Sequence, residues 1–404
     1  MNVEELVRDS LREQAAEQTP AGPDFADRVL VARRRRGVRR LACAAAATAA
    51  VVGVAVVVPM LDSGKDDIRP ADVVQRDSIN AHTDQSPPRD VVSVADTVMA
   101  AYYVPRTVKH SADQAESVRD YWLLDPKTEK YVKATKWSYV AVAPGLKTAA
   151  VLERDLPASR IGLLDLTTGK IQRWIQVDHD VAGLAFSRDG LKLVATTYSE
   201  NPDQLVKLQG SNTWEQKQPT SRTGFYVLDV ASGQGAWSEV KIETDPNDPL
   251  GGFLNSRQDF AMSSDGRYVW AGSPEEIGKY FYDLKGTEVA VPANQKYLEW
   301  YVDAGVSPSG TLVAGQFAGE KWKTSSWVLD ALTGEKTEVR GQQLLAWVGD
   351  KSLIAWDIAK DSKNEFHGRL VKVTIGSDKT VPLTGFRKGN DGDAGRWEPV
   401  FAQR

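Results

Sequence analysis

A tryptophan set among cations is the side-chain grouping in this chain best suited to binding chemistry. The stretch LVKLQGSNTWEQKQPTSRTG, from Leu205, places Trp214 among Lys207, Lys217 and Arg222. An indole on a polar insertion can stack on a sugar ring or clamp a peptide. The same insertion can instead fold down as a plug, and the residues leave both readings open. Lys321-Trp322-Lys323 repeats the grouping. Arg257 follows the next connection and can share a face with Trp214, or stand as a solvated surface charge. The candidate ligand-binding set is therefore Trp214, Lys217, Arg222, Arg257 and Trp322.

Signatures of catalysis are sparse. There is no G-x-S-x-G elbow, so nothing supports an attached hydrolase. His82, His110, His179 and His367 are scattered and fit no H-x-x-x-H spacing. Asp178-His179-Asp180 could ligate a cation, but its place just before a strand reads better as a polar turn. Asn390-Asp391-Gly392-Asp393 offers oxygen ligands of the kind calcium takes, but lacks the downstream bidentate Glu of an EF-hand. Cys43 is the only cysteine, which leaves later residues no thiolate for zinc or for nucleophilic attack. No metal and no cofactor is expected.

Two alternating hairpin patterns must position these groups. One reads RIGLLDLTTGKIQRWI from Arg160, and the other GLAFSRDGLKLVATTY from Gly183. Each is a pair of alternating β segments around a tight turn, Thr168-Gly169 or Asp189-Gly190, with glycine supplying the positive φ. The first returns from Tyr121, Phe225, Tyr280, Trp327 and Gly368; the second from Tyr139, Phe260, Ala304 and Leu345. Asp125, Asp165, Asp229, Asp283 and Asp330 end the strand before the turn, where a carboxylate can accept backbone N–H bonds. These aspartates read as structural.

Turn glycines Gly145, Gly190, Gly266 and Gly310 fall at intervals of 45, 76 and 44, the long one holding an insertion at 199–223. Two hairpins every 45 or so residues make one four-stranded unit per repeat, and such units arranged radially form an all-β propeller. Six hairpins of the first pattern, five of them with the turn aspartate, give a six-bladed propeller, with seven blades as the alternative. The segment RWEPVFA from Arg396 is placed to pair near residues 98–104 and close the ring. Turns within hairpins are short, whereas connections at 104–118, 199–223, 241–258, 292–303, 358–367 and 384–395 are long. Long loops on a rigid scaffold are the usual home of binding, so the long-loop face is the expected site.

The turns Ser187-Arg188-Asp189-Gly190 and Leu164-Asp165-Leu166-Thr167-Thr168-Gly169 resemble those of WD-like and TolB-like propellers, over residues 95–404. A Trp-Asp pair closing a blade occurs at Trp356-Asp357 alone. The overall layout is similar to that of membrane-tethered propellers of actinobacterial type.

That layout begins with Arg33, Arg34, Arg35, Arg36, Arg39 and Arg40, followed by a span without charge from residue 41 to residue 61. About 20 residues of helix cross a bilayer. Basic residues beside a span stay cytoplasmic, so residues 1–40 are expected inside and 62–404 outside, in a single-pass cell-membrane protein. The run ends in Val56-Val57-Val58-Pro59-Met60-Leu61, a poor cleavage site, which favours an uncleaved anchor over a signal peptide. The arginines suit anionic lipid headgroups. Residues 62–91 read as a polar linker and 92–404 as the propeller.

Residues 1–32 carry two short amphipathic helices, broken at Thr19-Pro20-Ala21-Gly22-Pro23, that either decorate the membrane base or hold a cytoplasmic partner. The net charge of −4 conceals an asymmetry. Without residues 1–40, which hold nine basic and seven acidic side chains, 41 basic and 47 acidic remain, a net of −6. Such a body is no nucleic-acid binder. The sequence therefore favours a non-catalytic propeller that binds an extracytoplasmic protein, peptide or cell-wall glycan. A carboxylate-dependent glycan enzyme and an anti-sigma-like transmembrane regulator are the alternatives.

Overall fold

In a computed structural model, the structure describes residues 78–404 apart from 208–212, 218–219, 241–256, 274–277, 300, 360–363, 365 and 389–395. The expected cytoplasmic helices, arginine cluster, membrane span and residues 62–77 of the linker lie outside the described residues, as does the Asn390-Asp391-Gly392-Asp393 cluster.

The described chain is all-β, and its strands follow one another as antiparallel meanders. The first comprises Thr97–Lys109, Gln114–Asp125 and Lys130–Ala134. The second comprises Trp137–Val142, Thr148–Glu153, Ala158–Asp165 and the start of Lys170–Phe186. That last strand runs on to open the third, with Lys192–Tyr198, Arg222–Asp229 and Gly235–Glu239. The fourth holds Ala261–Met262, Val269–Ser273, Gly278–Tyr282 and Glu288–Val289. Leu312–Phe317, Ser325–Asp330 and Lys336–Arg340 form the fifth, where a Val306–Val313 bridge stands in for an inner strand. Gln343–Val348, Ser352–Ile358, Gly368–Thr374 and Thr380–Pro382 form the sixth.

The closure expected from the sequence is present. Glu398–Gln403 pairs antiparallel with Thr97–Lys109, Glu398 opposite Tyr103 and Gln403 opposite Thr97, completing the first meander.

Packing shows why some strands read as unbroken apolar runs. Thr148–Glu153, Lys192–Tyr198 and Ser352–Ile358 are buried along nearly their whole length, without alternation. A strand covered by a neighbouring sheet on each face has no solvent side to reserve for polar residues. Apolar clusters lie between consecutive meanders: Tyr121 with Val140 and Val151, Ile161 with Leu193 and Tyr226, and Phe225 with Val269 and Tyr282. The series continues with Phe281 against Val313 and Val328 against Leu353. Val98, Met99, Ile354, Leu370 and the fully buried Trp397 then join the sixth meander to the first. Each such side chain contributes about 1.5–3 kcal/mol when taken from water. The clusters close on themselves in a ring, which is the arrangement of a β-propeller.

The turn aspartates act as expected. Asp165 Oδ1 accepts from the Thr167 amide at 2.7 Å, Asp229 Oδ1 from Ser232 at 2.7 Å and Asp330 Oδ1 from Thr333 at 2.7 Å. The Thr167 hydroxyl and these backbone bonds outweigh burial and pull the Asp165 carboxyl down to about 2.

The structure departs from the sequence reading in three places. Residues 104–118, read as a connection, are a long hairpin in which Val104 faces Asp120 and Lys109 faces Ala115. Alternating residues on either side of a tight Ser111–Asp113 turn satisfy their backbone groups better paired than looped; the Ser111 hydroxyl donates to Asp113 at 2.6 Å. The folded body starts before residue 92, since Ile79–Asn80 pairs with Ser93–Val94. Finally, Asp178-His179-Asp180 is no turn but part of Lys170–Phe186, with the His179 ring stacked on Trp237 at 3.7 Å.

Candidate functional site

The inner edges of the meanders surround a central channel made of two cavities. One, of about 850 Å³, takes in Pro144, Arg188, Ser264 and Pro308 from the short hairpin turns and reaches inward to Arg119, Arg257, Lys279 and Asp303. The other, of about 800 Å³, opens among the longer connections at Tyr301, Gln342, Phe366, Arg387 and Arg396. They share Tyr103, Arg119, Asp303, Leu345 and Phe401, which mark the waist.

A buried ion network braces the waist. Arg119 grips Asp203 with two bonds, Nη1 to Oδ2 at 2.7 Å and Nη2 to Oδ1 at 2.9 Å. Arg257 donates to the same carboxylate, to Asp259 Oδ2 at 3.0 Å and to the Ala182 carbonyl. The Tyr198 hydroxyl donates to Asp259 at 2.8 Å, and the Arg257 guanidinium lies 4.9 Å from the Tyr139 ring centre. Burial pushes the Asp203 carboxyl up, but Arg257 and Arg119 outweigh it and hold the group below its usual value. Asp259 approaches the chain closely enough that a Cβ at Gly183 would lie 2.3 Å from its carboxyl carbon. Three meanders meet here, because Arg119 belongs to the first, Asp203 to the insertion of the third and Arg257 to the entry of the fourth.

Most of the sequence-derived candidates gather around the insertion. Gln204–Lys207 and Trp214–Gln216 form a hairpin that adds to Gln114–Asp125, with Val206 opposite Gln114. Trp214 is half-buried, with the Lys109 ammonium 6.0 Å from its ring centre. Lys217 is exposed and pairs with Glu200. Arg222 donates to the Gln258 carbonyl at 2.6 Å and lies 4.4 Å from the Phe260 ring centre. Arg257 is joined to the hairpin by its amide, which donates to Gln216 Oε1 at 3.0 Å. The arginine is buried in the waist network, not solvated. Trp322 sits apart on the fifth meander, beside Lys321 and Arg340, its amide donating to Glu338 at 3.3 Å.

Sequence reasoning passed over the channel itself. Trp270 and Trp347 line it, each also packed against an apolar cluster between meanders. At the long-loop mouth, Arg387 Nη1 donates to the Trp397 carbonyl at 3.0 Å and to Glu398 at 2.9 Å, its guanidinium 3.7 Å from the Trp356 ring centre. Arg396 donates to the same Glu398 oxygen at 3.0 Å and lies 3.7 Å from the Phe366 ring centre. Tyr301 and Phe317 stand 40% and 50% exposed at this mouth. Asp303 at the waist is pushed up to about 6 by burial, which outweighs the nearby Lys279 charge.

No family model matches the chain, and no curated protein matches it in sequence. Among solved structures, it is similar to a chain of a mitotic checkpoint complex crystal structure, at 12% identity and a TM-score of 0.40, covering 87% of this chain and 99% of that one. TolB from Acinetobacter baumannii aligns at 13% identity and a TM-score of 0.33, covering 72% and 67%. A protein of unknown function from Bacteroides thetaiotaomicron aligns at 10% identity and 0.39, covering 80% and 75%.

Proposed function

We propose that this chain is a single-pass membrane protein that holds a six-bladed propeller outside the cytoplasm and binds a protein or peptide partner at the long-loop mouth. One observation carries the reading: exposed Tyr301 and Phe317 line a cavity of about 800 Å³ together with Arg396, Glu398 and the buried Arg387. Aromatic residues and arginine around a concavity are the composition of interface hot spots. The basic cluster from Arg33 to Arg40 and the uncharged span after it support the tethering and the orientation. Residues 1–32 then lie where a cytoplasmic regulator would be held, in the manner of anti-sigma factors.

Capture of envelope proteins on the purified full chain, compared with Tyr301→Ala/Phe317→Ala, tests the site. Unchanged capture by a folded double variant refutes it. Protease added to intact cells should shave the propeller; a protected propeller would reverse the topology.

A carboxylate-dependent glycan enzyme is the second reading, favoured by one feature. Asp303, raised to about 6, is a carboxyl able to hold and release a proton near neutral pH. Release of reducing ends from cell-wall glycans, abolished by Asp303→Asn, would establish it.

A further inference from the structure

A lysine stands in this fold where the repeat calls for a buried side chain. Four residues before turn aspartates Asp125, Asp165, Asp229 and Asp330 stand Tyr121, Ile161, Phe225 and Ser326, none more than 2% exposed. Four residues before Asp283 stands Lys279, 8% exposed. Its ammonium lies 3.5 Å from the Trp270 ring centre and has no hydrogen-bond or ion-pair partner among the described residues. Gln295, 2% exposed, lines the same cavity of about 850 Å³, and its Nε2 has no acceptor. A buried donor is almost always paired, so the Gln295 amide, left without an acceptor among the described residues beside a lysine that makes no hydrogen bond there, marks a missing acceptor.

The engagement of the lining indicates what that acceptor is. Arg119, Arg188, Arg257 and Lys279 line the cavity with Asp259 and Asp303, while Asp203 pairs with Arg119 and Arg257 and Glu299 acts on Lys279, so the cations are matched in number and the free donors decide. Arg119 and Arg257 are already engaged by Asp203 and Asp259, and Arg188 donates to the Pro308 carbonyl at 3.1 Å. What remains is one ammonium, on which Asp303 and Glu299 act from beyond ion-pair distance, and one amide. That donor set matches a singly charged group with two oxygens; a phosphate would call for more free cations. We propose that the cavity binds a ligand through a carboxylate that accepts from Lys279 and Gln295, a site separate from the long-loop mouth and independent of the docking reading. The carboxylate can come from a peptide C-terminus or from a small organic acid. Burial lowers the Lys279 ammonium to about 8, so it is still mostly protonated at pH 7.

The test is saturation-transfer NMR on the full chain with three probes: N-acetyl-trialanine with a free carboxylate, its C-terminal amide, and glutarate. At least one acid should show transfer at pH 7, the amide should not, and Lys279→Met and Gln295→Leu should each weaken the acid at least tenfold while near-UV circular dichroism stays native. Transfer to the peptide acid alone assigns a chain terminus, and transfer to glutarate alone assigns a small acid; either supports the site. Equal transfer to acid and amide, none to either acid, or undiminished transfer in a folded Lys279→Met protein overturns it.

Discussion

Replacing Asp203 with alanine should be among the most destabilising single changes at the waist. The side chain is 3% exposed and is shared by Arg119 and Arg257, themselves 16% and 7% exposed. Its removal leaves two guanidinium groups facing a space that water barely enters. Breaking a buried pair from one side costs about 3–5 kcal/mol, and the lower end applies because Arg257 keeps Asp259. With an unfolding entropy of about 2.1 cal/mol/K per residue and roughly 300 ordered residues, about 3 kcal/mol lowers Tm by roughly 5 °C. Thermal unfolding followed by tryptophan emission reads this directly.

The same reasoning fixes a pH dependence. The Asp203 carboxyl is held below its usual value in the folded chain, so its stabilisation is full above the unfolded value of about 3.9 and is lost as pH falls through the folded one. The gap between wild type and variant should therefore be widest near neutrality and close in acid. The exposed Lys217–Glu200 pair is the control, since such pairs contribute about 0–1 kcal/mol. An Asp203→Ala protein within 1 °C of wild type at pH 7 would show that the network does not behave as a buried ion cluster.

Further consequences can be measured in the same way. Trp397 is fully buried between the Tyr102 and Trp356 rings, so Trp397→Ala should cost about 3–5 kcal/mol and lower the urea midpoint. Gly183→Ala should destabilise by forcing Asp259 away from Arg257, and a Gly183→Ala/Asp259→Ala double variant should lose less stability than the sum of the two single losses. Lys279→Met should raise Tm at pH 7. The unfolded lysine keeps its proton to about 10.4 while the folded one releases it near 8, so wild-type stability climbs between those values and the advantage of the variant shrinks.

The parts of this fold legible in the sequence are those written in short spacings. Strand alternation and the Asp-turn and Ser-x-Asp-Gly signals act within a few residues, and the closing strand from Arg396 carries its own apolar pattern. The hairpin at 104–118 was missed because Pro105 and a run of polar residues resemble a loop; pairing in register with the insertion is what makes it a strand pair. The waist was not legible, because Arg119 and Asp203 are 84 residues apart and meet only when three meanders have docked. Arg257 was singled out for the wrong surroundings. No local pattern tells a solvated arginine from one gripped by two carboxylates. Lys279 was legible in principle, since counting back from each turn aspartate places it among Tyr121, Ile161, Phe225 and Ser326.

The join between Glu398–Gln403 and Thr97–Lys109 sets an order of events for biosynthesis. Until the ribosome has passed Gln403, the earliest repeat lacks its innermost strand and shows open backbone to any passing edge. Closure of the ring therefore waits on this one strand, whatever order the other meanders fold in.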